Sequence, residues 1–166
     1  MGASGWSYFT SYQENIVKAF QELQQKVFES GNYGHACQYS SEMLNQYPQL
    51  KASAEALKKL DDQRLKDYGP IKAIDDLREA FAEEGTHTII DIERIHSKPD
   101  FGVAYPAPQE IIQKVFGTPK PTHQDIESKK YQLLEALNIE RWQATYLIVY
   151  ENNIPKEIYF EGCSGD

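Results

Sequence analysis

Trp142-Gln143-Ala144-Thr145-Tyr146-Leu147-Ile148-Val149-Tyr150 is the stretch that decides the fold. It is nearly all apolar or aromatic, the pattern of a strand buried on both faces at the centre of a sheet. Glu151-Asn152-Asn153-Ile154-Pro155 then turns the chain. Lys156 to Glu161 returns with Ile158 and Phe160 on one face, which makes a hairpin.

The opening Trp6-Ser7-Tyr8-Phe9-Thr10-Ser11-Tyr12 reads as a strand with aromatics on both faces. From Gln13 the period changes: Ile16, Phe20, Leu23 and Val27 form one helical stripe, ended by Gly31-Asn32. Ile74, Leu77 and Phe81 mark a second helix, stopped by Gly85. Thr86-His87-Thr88-Ile89-Ile90-Asp91-Ile92-Glu93-Arg94-Ile95 is β-branched enough to predict a strand. Thr88, Ile90 and Ile92 would then share one face, and His87, Ile89, Asp91 and Glu93 the other. His96 to Pro108 reads as an ordered loop, and helices are expected over Pro108–Phe116 and Thr122–Leu137. The expected fold class is α+β, a mainly antiparallel sheet of about four strands with helices packed on it.

The 166 residues are the length of one domain, 1–166. Within it, residues 32–70 read as a helical arm or insertion: the apolar positions over 52–67 are thin, and a short helix is expected at Ser41–Gln46. The arm is also expected to be the least tightly packed region. The formal charge of −8 argues against nucleic acid, whose binding relies on cations replacing condensed counterions. No window approaches the roughly 18 unbroken apolar residues of a membrane span. The opening Met1-Gly2-Ala3-Ser4-Gly5-Trp6 has neither the basic stretch nor the apolar run of a signal peptide. With two cysteines, Cys37 and Cys163, a reducing cytoplasmic setting is expected. The sequence is silent on oligomeric state.

Phosphate-binding loops, dinucleotide fingerprints and Cys-x-x-Cys pairs are missing, so no cofactor is expected. The densest charge lies between Asp75 and Glu93, seven acids against Arg78, net −6. A solvated helix face accounts for it most simply. Its functional reading makes Asp75, Asp76, Glu79, Glu83 and Glu84 a patch that steers a basic protein partner. Tyrosines 8, 12, 146, 150 and 159, on the expected strands, would serve packing first and recognition second. Regulatory or protein-binding action through this acidic and aromatic surface is the leading expectation.

The alternative is a small enzyme without a cofactor, or a small-ligand-binding domain. Its cleft would lie under the Phe101–Pro108 loop, with His87 as base beside Asp91, Glu93 or Arg94. A metal at His87, Asp91 and Glu93, completed by His96, Asp100 or His123, is not expected: His87 and Asp91 would stand about 13 Å apart on a regular strand. Neither Cys37, two residues from His35, nor Cys163 sits in a thiol-hydrolase signature. Gly2-Ala3-Ser4-Gly5 is no nucleophile elbow.

The opening Gly2-Ala3-Ser4-Gly5-Trp6-Ser7-Tyr8, the central Gly85-Thr86-His87-Thr88-Ile89-Ile90-Asp91-Ile92-Glu93-Arg94, Phe116-Gly117-Thr118-Pro119-Lys120-Pro121-Thr122 and the terminal Tyr159-Phe160-Glu161-Gly162 together resemble a family of small bacterial proteins that open with MGASGW-x-Y. The resemblance covers both ends and the middle and leaves 32–70 unmatched. It implies a bacterial cytoplasmic protein and brings no activity, cofactor or catalytic residue with it.

Overall fold

The computed structural model describes residues 4–165, so Met1–Ala3 of the opening motif lie outside the described residues. Five strands form one sheet: β1 (Gly5–Ser11), β2 (Arg94–Ile95), β3 (Val103–Pro106), β4 (Gln143–Glu151) and β5 (Ile154–Cys163), in the order β1-β5-β4-β3-β2. β4 is therefore the middle strand. The β4–β5 turn has both Asn152 (φ 52°) and Asn153 (φ 64°) left-handed, the geometry that matches the twist of a two-residue hairpin.

Period-2 alternation sorts the side chains of β1, β4 and β5 onto two faces. One carries Trp6, Tyr8, Ala144, Tyr146, Ile158 and Phe160. It is covered by α1 (Ile16–Ser30) through Ala19, Phe20, Leu23 and Val27, and by Leu77 of α4 (Ile74–Ala80) with Phe81. The other face carries Phe9, Leu147, Val149 and Tyr159. It is covered by α5 (Gln109–Phe116) and α6 (His123–Leu137) through Ile112, Phe116, Ile126, Leu133 and Leu137. Asn15 and Gly31 cap α1, and Thr122 with Asp125 forms a capping box on α6.

The expectation of a mainly antiparallel, four-stranded sheet is corrected. β1–β5 and β4–β5 are antiparallel, but β3–β4 and β2–β3 are parallel, so the sheet is mixed and five-stranded. β3 lies inside the stretch read as a loop, and β2 is the only strand in the stretch read as Thr86–Ile95.

The cause in the second case is side-chain competition for the backbone. Asp91 Oδ1 accepts from Thr86 N at 2.6 Å and Thr88 Oγ1 from Ile90 N at 3.2 Å, with Gly85 and His87 at φ 88° and 59°. The result is a coiled loop with one 3₁₀ turn at Ile89–Asp91, in which Ile89, Ile90 and Ile92 are all buried rather than alternating.

Residues 32–70 hold a 3₁₀ turn at His35–Gln38, α2 (Ser41–Gln46) and α3 (Lys51–Tyr68). α3 buries only Ala54 and Asp61, so it contributes little apolar area. Its anchoring is polar and falls at the site described next.

Candidate functional site

The 85–92 loop is pinned at both ends. Gly34 N donates to Thr86 O at 2.7 Å, and the buried Asp91 accepts from Ser164 Oγ at 2.5 Å as well as from Thr86 N. Burial raises the Asp91 carboxyl above its usual range, against the lowering effect of these bonds. Held this way, His87 adopts a left-handed backbone, an arrangement that persists only where the surroundings over-determine it.

The His87 side chain is 3% exposed, and its Nδ1 lies 2.5 Å from Ser4 Oγ at the start of β1. The pair opens on a cavity of about 390 Å³ lined by Ser4 to Tyr8, Asn32, Cys37, Gln38 and His87.

From the arm, Asn32, Cys37 and Gln38 line the cavity, and His35 packs beside His87. The His35 ring sits 4.5 Å from the His87 ring. Its Nδ1 is 2.9 Å from Asp61 Oδ1, and its Nε2 3.2 Å from Glu84 Oε2. Arg64 reaches the same Glu84 oxygen at 2.7 Å, and that bond, more than His35 or His87, holds the Glu84 carboxyl below its ordinary range. Gly34 is required here: at φ 81°, a Cβ on it would lie 2.6 Å from Asp61 Oδ2. Cys37 contributes its thiol to the cleft, but burial first, and then Asp61 and Asp91, push it up to about 12. A thiol so raised stays protonated near pH 7. Tyr8, opposite, is raised too, mainly by burial.

His87, Asp91, Glu93 and Arg94 do not converge. His87 enters this cleft. Asp91 is buried behind it, Glu93 lies against Gly102, and Arg94 pairs with Asp100 at 3.1 Å. The single cleft expected under Phe101–Pro108 is two cavities, one holding His87 and the other lined by Asp91, Glu93 and Phe101. Among the described residues, no three His, Cys, Asp or Glu side chains are grouped to hold a metal.

Most of the acidic stretch has partners within the chain, while Asp75, Glu79 and Glu83 stay exposed to solvent. Asp75 pairs with Arg78 at 2.8 Å. Asp76 accepts from Lys72 N and Ala73 N at 2.7 and 2.8 Å, which hold its carboxyl low. Glu79 accepts from Tyr68 Oη at 2.7 Å, and Glu84 is taken by Arg64 and His35. Glu83 is exposed.

Ser4, His35, Asp61 and Arg64 were not singled out as functional by sequence. Ser4 and His87 are 83 residues apart, so no local pattern links them. His35 and Asp61 stand on a polar arm without a motif.

Comparison with protein-family models, with curated proteins and with solved structures finds no match. No helix of the described residues is long and apolar enough to cross a membrane.

Proposed function

We propose that the protein is a small cofactor-independent enzyme that performs acyl transfer at Ser4, with His87 as the general base. The observation that carries this reading is the 2.5 Å approach of Ser4 Oγ to His87 Nδ1 at the wall of the cavity. With the ring proton on Nε2, Nδ1 accepts from Ser4 and takes its proton as Oγ attacks an ester carbonyl. The imidazolium so formed returns that proton to the departing alcohol, and water then releases the acyl group from Oγ by the reverse sequence.

The cavity falls within the range of small-molecule sites, about 300–1,000 Å³. Trp6 and Tyr8 provide apolar wall for a small ester. Action on a basic protein partner through the acidic stretch has less support, because Asp76 and Glu84 already hold internal partners and Asp75, Glu79 and Glu83 are the acids left exposed.

A fluorophosphonate probe followed by peptide mapping tests the reading. The expected result is an adduct on Ser4, absent from Ser4→Ala and formed roughly 10²–10⁴-fold more slowly in His87→Asn. Asparagine tolerates the left-handed backbone at this position, so that variant keeps the loop. No adduct at Ser4, or an unchanged rate in His87→Asn, overturns it.

A further inference from the structure

On the other side of Asp91 lies a second, smaller cavity of about 190 Å³, lined by Arg78, Phe81, Ala82, Asp91, Glu93, Phe101 and Trp142. Three of these seven are aromatic. Phe101 is 59% exposed, unusual for its type, and its ring centroid is 5.6 Å from that of Trp142 at 39°. Trp142 is held rigidly. Its backbone is left-handed at φ 62°, a genuine outlier for so bulky a residue, and Trp142 N donates to Cys163 O at 2.9 Å. Its indole lies directly on the Gly165 backbone, where a Cβ would overlap the ring. Phe81 already takes one cation, the Arg64 guanidinium, 5.0 Å from its centroid.

Two carboxyl groups, Asp91 and Glu93, face these rings against one cation, Arg78. Glu93 lies across Gly102, whose missing side chain makes room for it. Its pairing with Arg94 is at 3.5 Å, while Arg94 is closer to Asp100 at 3.1 Å. The one cation in the lining, Arg78, is turned toward internal acceptors: Nε and one terminal nitrogen donate to Ile90 O and Ile92 O, each at 2.8 Å, and the other pairs with Asp75. A neutral apolar guest would strip water from the Glu93 carboxylate and return nothing. A bare metal ion would find aromatic carbon in place of a ring of oxygens. An alkylated ammonium satisfies both constraints, because its charge is spread over methyl groups that pack on aromatic faces.

We propose that this cavity binds an organic ammonium ion of about the size of a trimethylammonium head, held by Phe101 and Trp142 with Glu93 as counter-charge. The proposal is independent of the Ser4–His87 reading.

The test is a titration followed by the indole N–H resonance of Trp142, with Trp6 as the internal control. Choline is the free small-molecule probe, Nα-acetyl-trimethyllysine amide the side-chain probe, and 3,3-dimethylbutan-1-ol the neutral isostere of choline. A saturable shift of Trp142 with either ammonium, and not with the alcohol, is expected; the tighter of the two ammonium probes distinguishes a free metabolite from a protein side chain. Phe101→Ala and Glu93→Gln are both surface changes that leave the core intact. Each is expected to weaken binding roughly fivefold, about 1 kcal/mol at 1.4 kcal/mol per tenfold. Equal binding of the neutral isostere, no saturable shift with either ammonium, or full binding by both variants overturns the proposal.

Discussion

Phe160→Ala is expected to destabilise the protein by about 3–5 kcal/mol. Phe160 is fully buried in β5, on the face covered by α1. Its ring meets Phe20 of that helix and Tyr146 of β4, each at 5.9 Å, and it stands directly across from Tyr8 in β1. Truncation therefore removes the contact that joins three strands to their helical cover. The gap cannot close easily, because α1 is fixed by Gln24, whose side-chain amide donates to Ile89 O and Ile92 O at 3.0 and 2.6 Å. In a chain of this size such a loss lowers the thermal midpoint by roughly 10 °C. Tyr131→Ala is the control: Tyr131 is 86% exposed, so its truncation is expected to change stability by less than about 0.5 kcal/mol. Equal midpoints for Phe160→Ala and the native chain would contradict this account of the core.

The second large effect is a pH dependence centred on the next residue. Glu161 points to the opposite face, between Ser7 and Thr145 on the neighbouring strands, and is 3% exposed. Burial lifts its carboxyl from 4.5 to about 7, with Lys130 only partly offsetting it. Oε2 has no hydrogen-bond partner among the described residues. Because the folded value lies above the unfolded one, the folded chain holds a proton that the unfolded chain has released between these two pH values. Stability is then undiminished below about pH 4.5, falls as pH rises toward 7, and levels off above it, a loss of about 3 kcal/mol.

Asp91, also raised, works in the same direction. The lowered carboxyls of Asp76, Glu84 and Asp125 work the other way, and their contribution is lost as pH falls through the acid range. Glu161→Gln removes the main slope. Denaturant midpoints measured across pH 5–8 should therefore drop for the native chain and stay nearly flat for the variant. Parallel slopes for the two proteins would place the titrating group elsewhere.

The sequence shows these two faces because hydrophobic period reports burial. Phe20, Leu23 and Val27 mark α1, and Ile158 and Phe160 mark the inner face of the hairpin, without any knowledge of their partners. The parallel strands were hidden for a different reason. β2 has two residues and β3 four, and β3 follows Gly102 and ends in Pro106, so neither is long enough to show alternation. The 86–95 stretch misleads because β-branched content is a packing preference that local hydrogen bonds override. Thr86, Thr88 and Asp91 provide those bonds, and their short polar side chains are the signal that reading for strand content passed over.

The candidate site was legible only at His87, a histidine just after a helix-stopping glycine. Ser4 reaches it from the first strand, and His35, Asp61 and Arg64 reach it from an arm whose composition reads as solvent-facing. Asp61 is buried because it binds His35 and the Ala36 backbone, not because of any period in α3. Contacts of that kind are set by tertiary structure.

Pre-steady-state kinetics with p-nitrophenyl acetate distinguish a Ser4 nucleophile activated by His87 from an inert serine. A burst of p-nitrophenolate stoichiometric with protein, followed by slower turnover, is the expected result. The burst is absent in Ser4→Ala and slowed in His87→Asn, while both variants keep the native thermal midpoint within a few degrees. Linear release from the first turnover, at the same rate in the native chain and in Ser4→Ala, would contradict it.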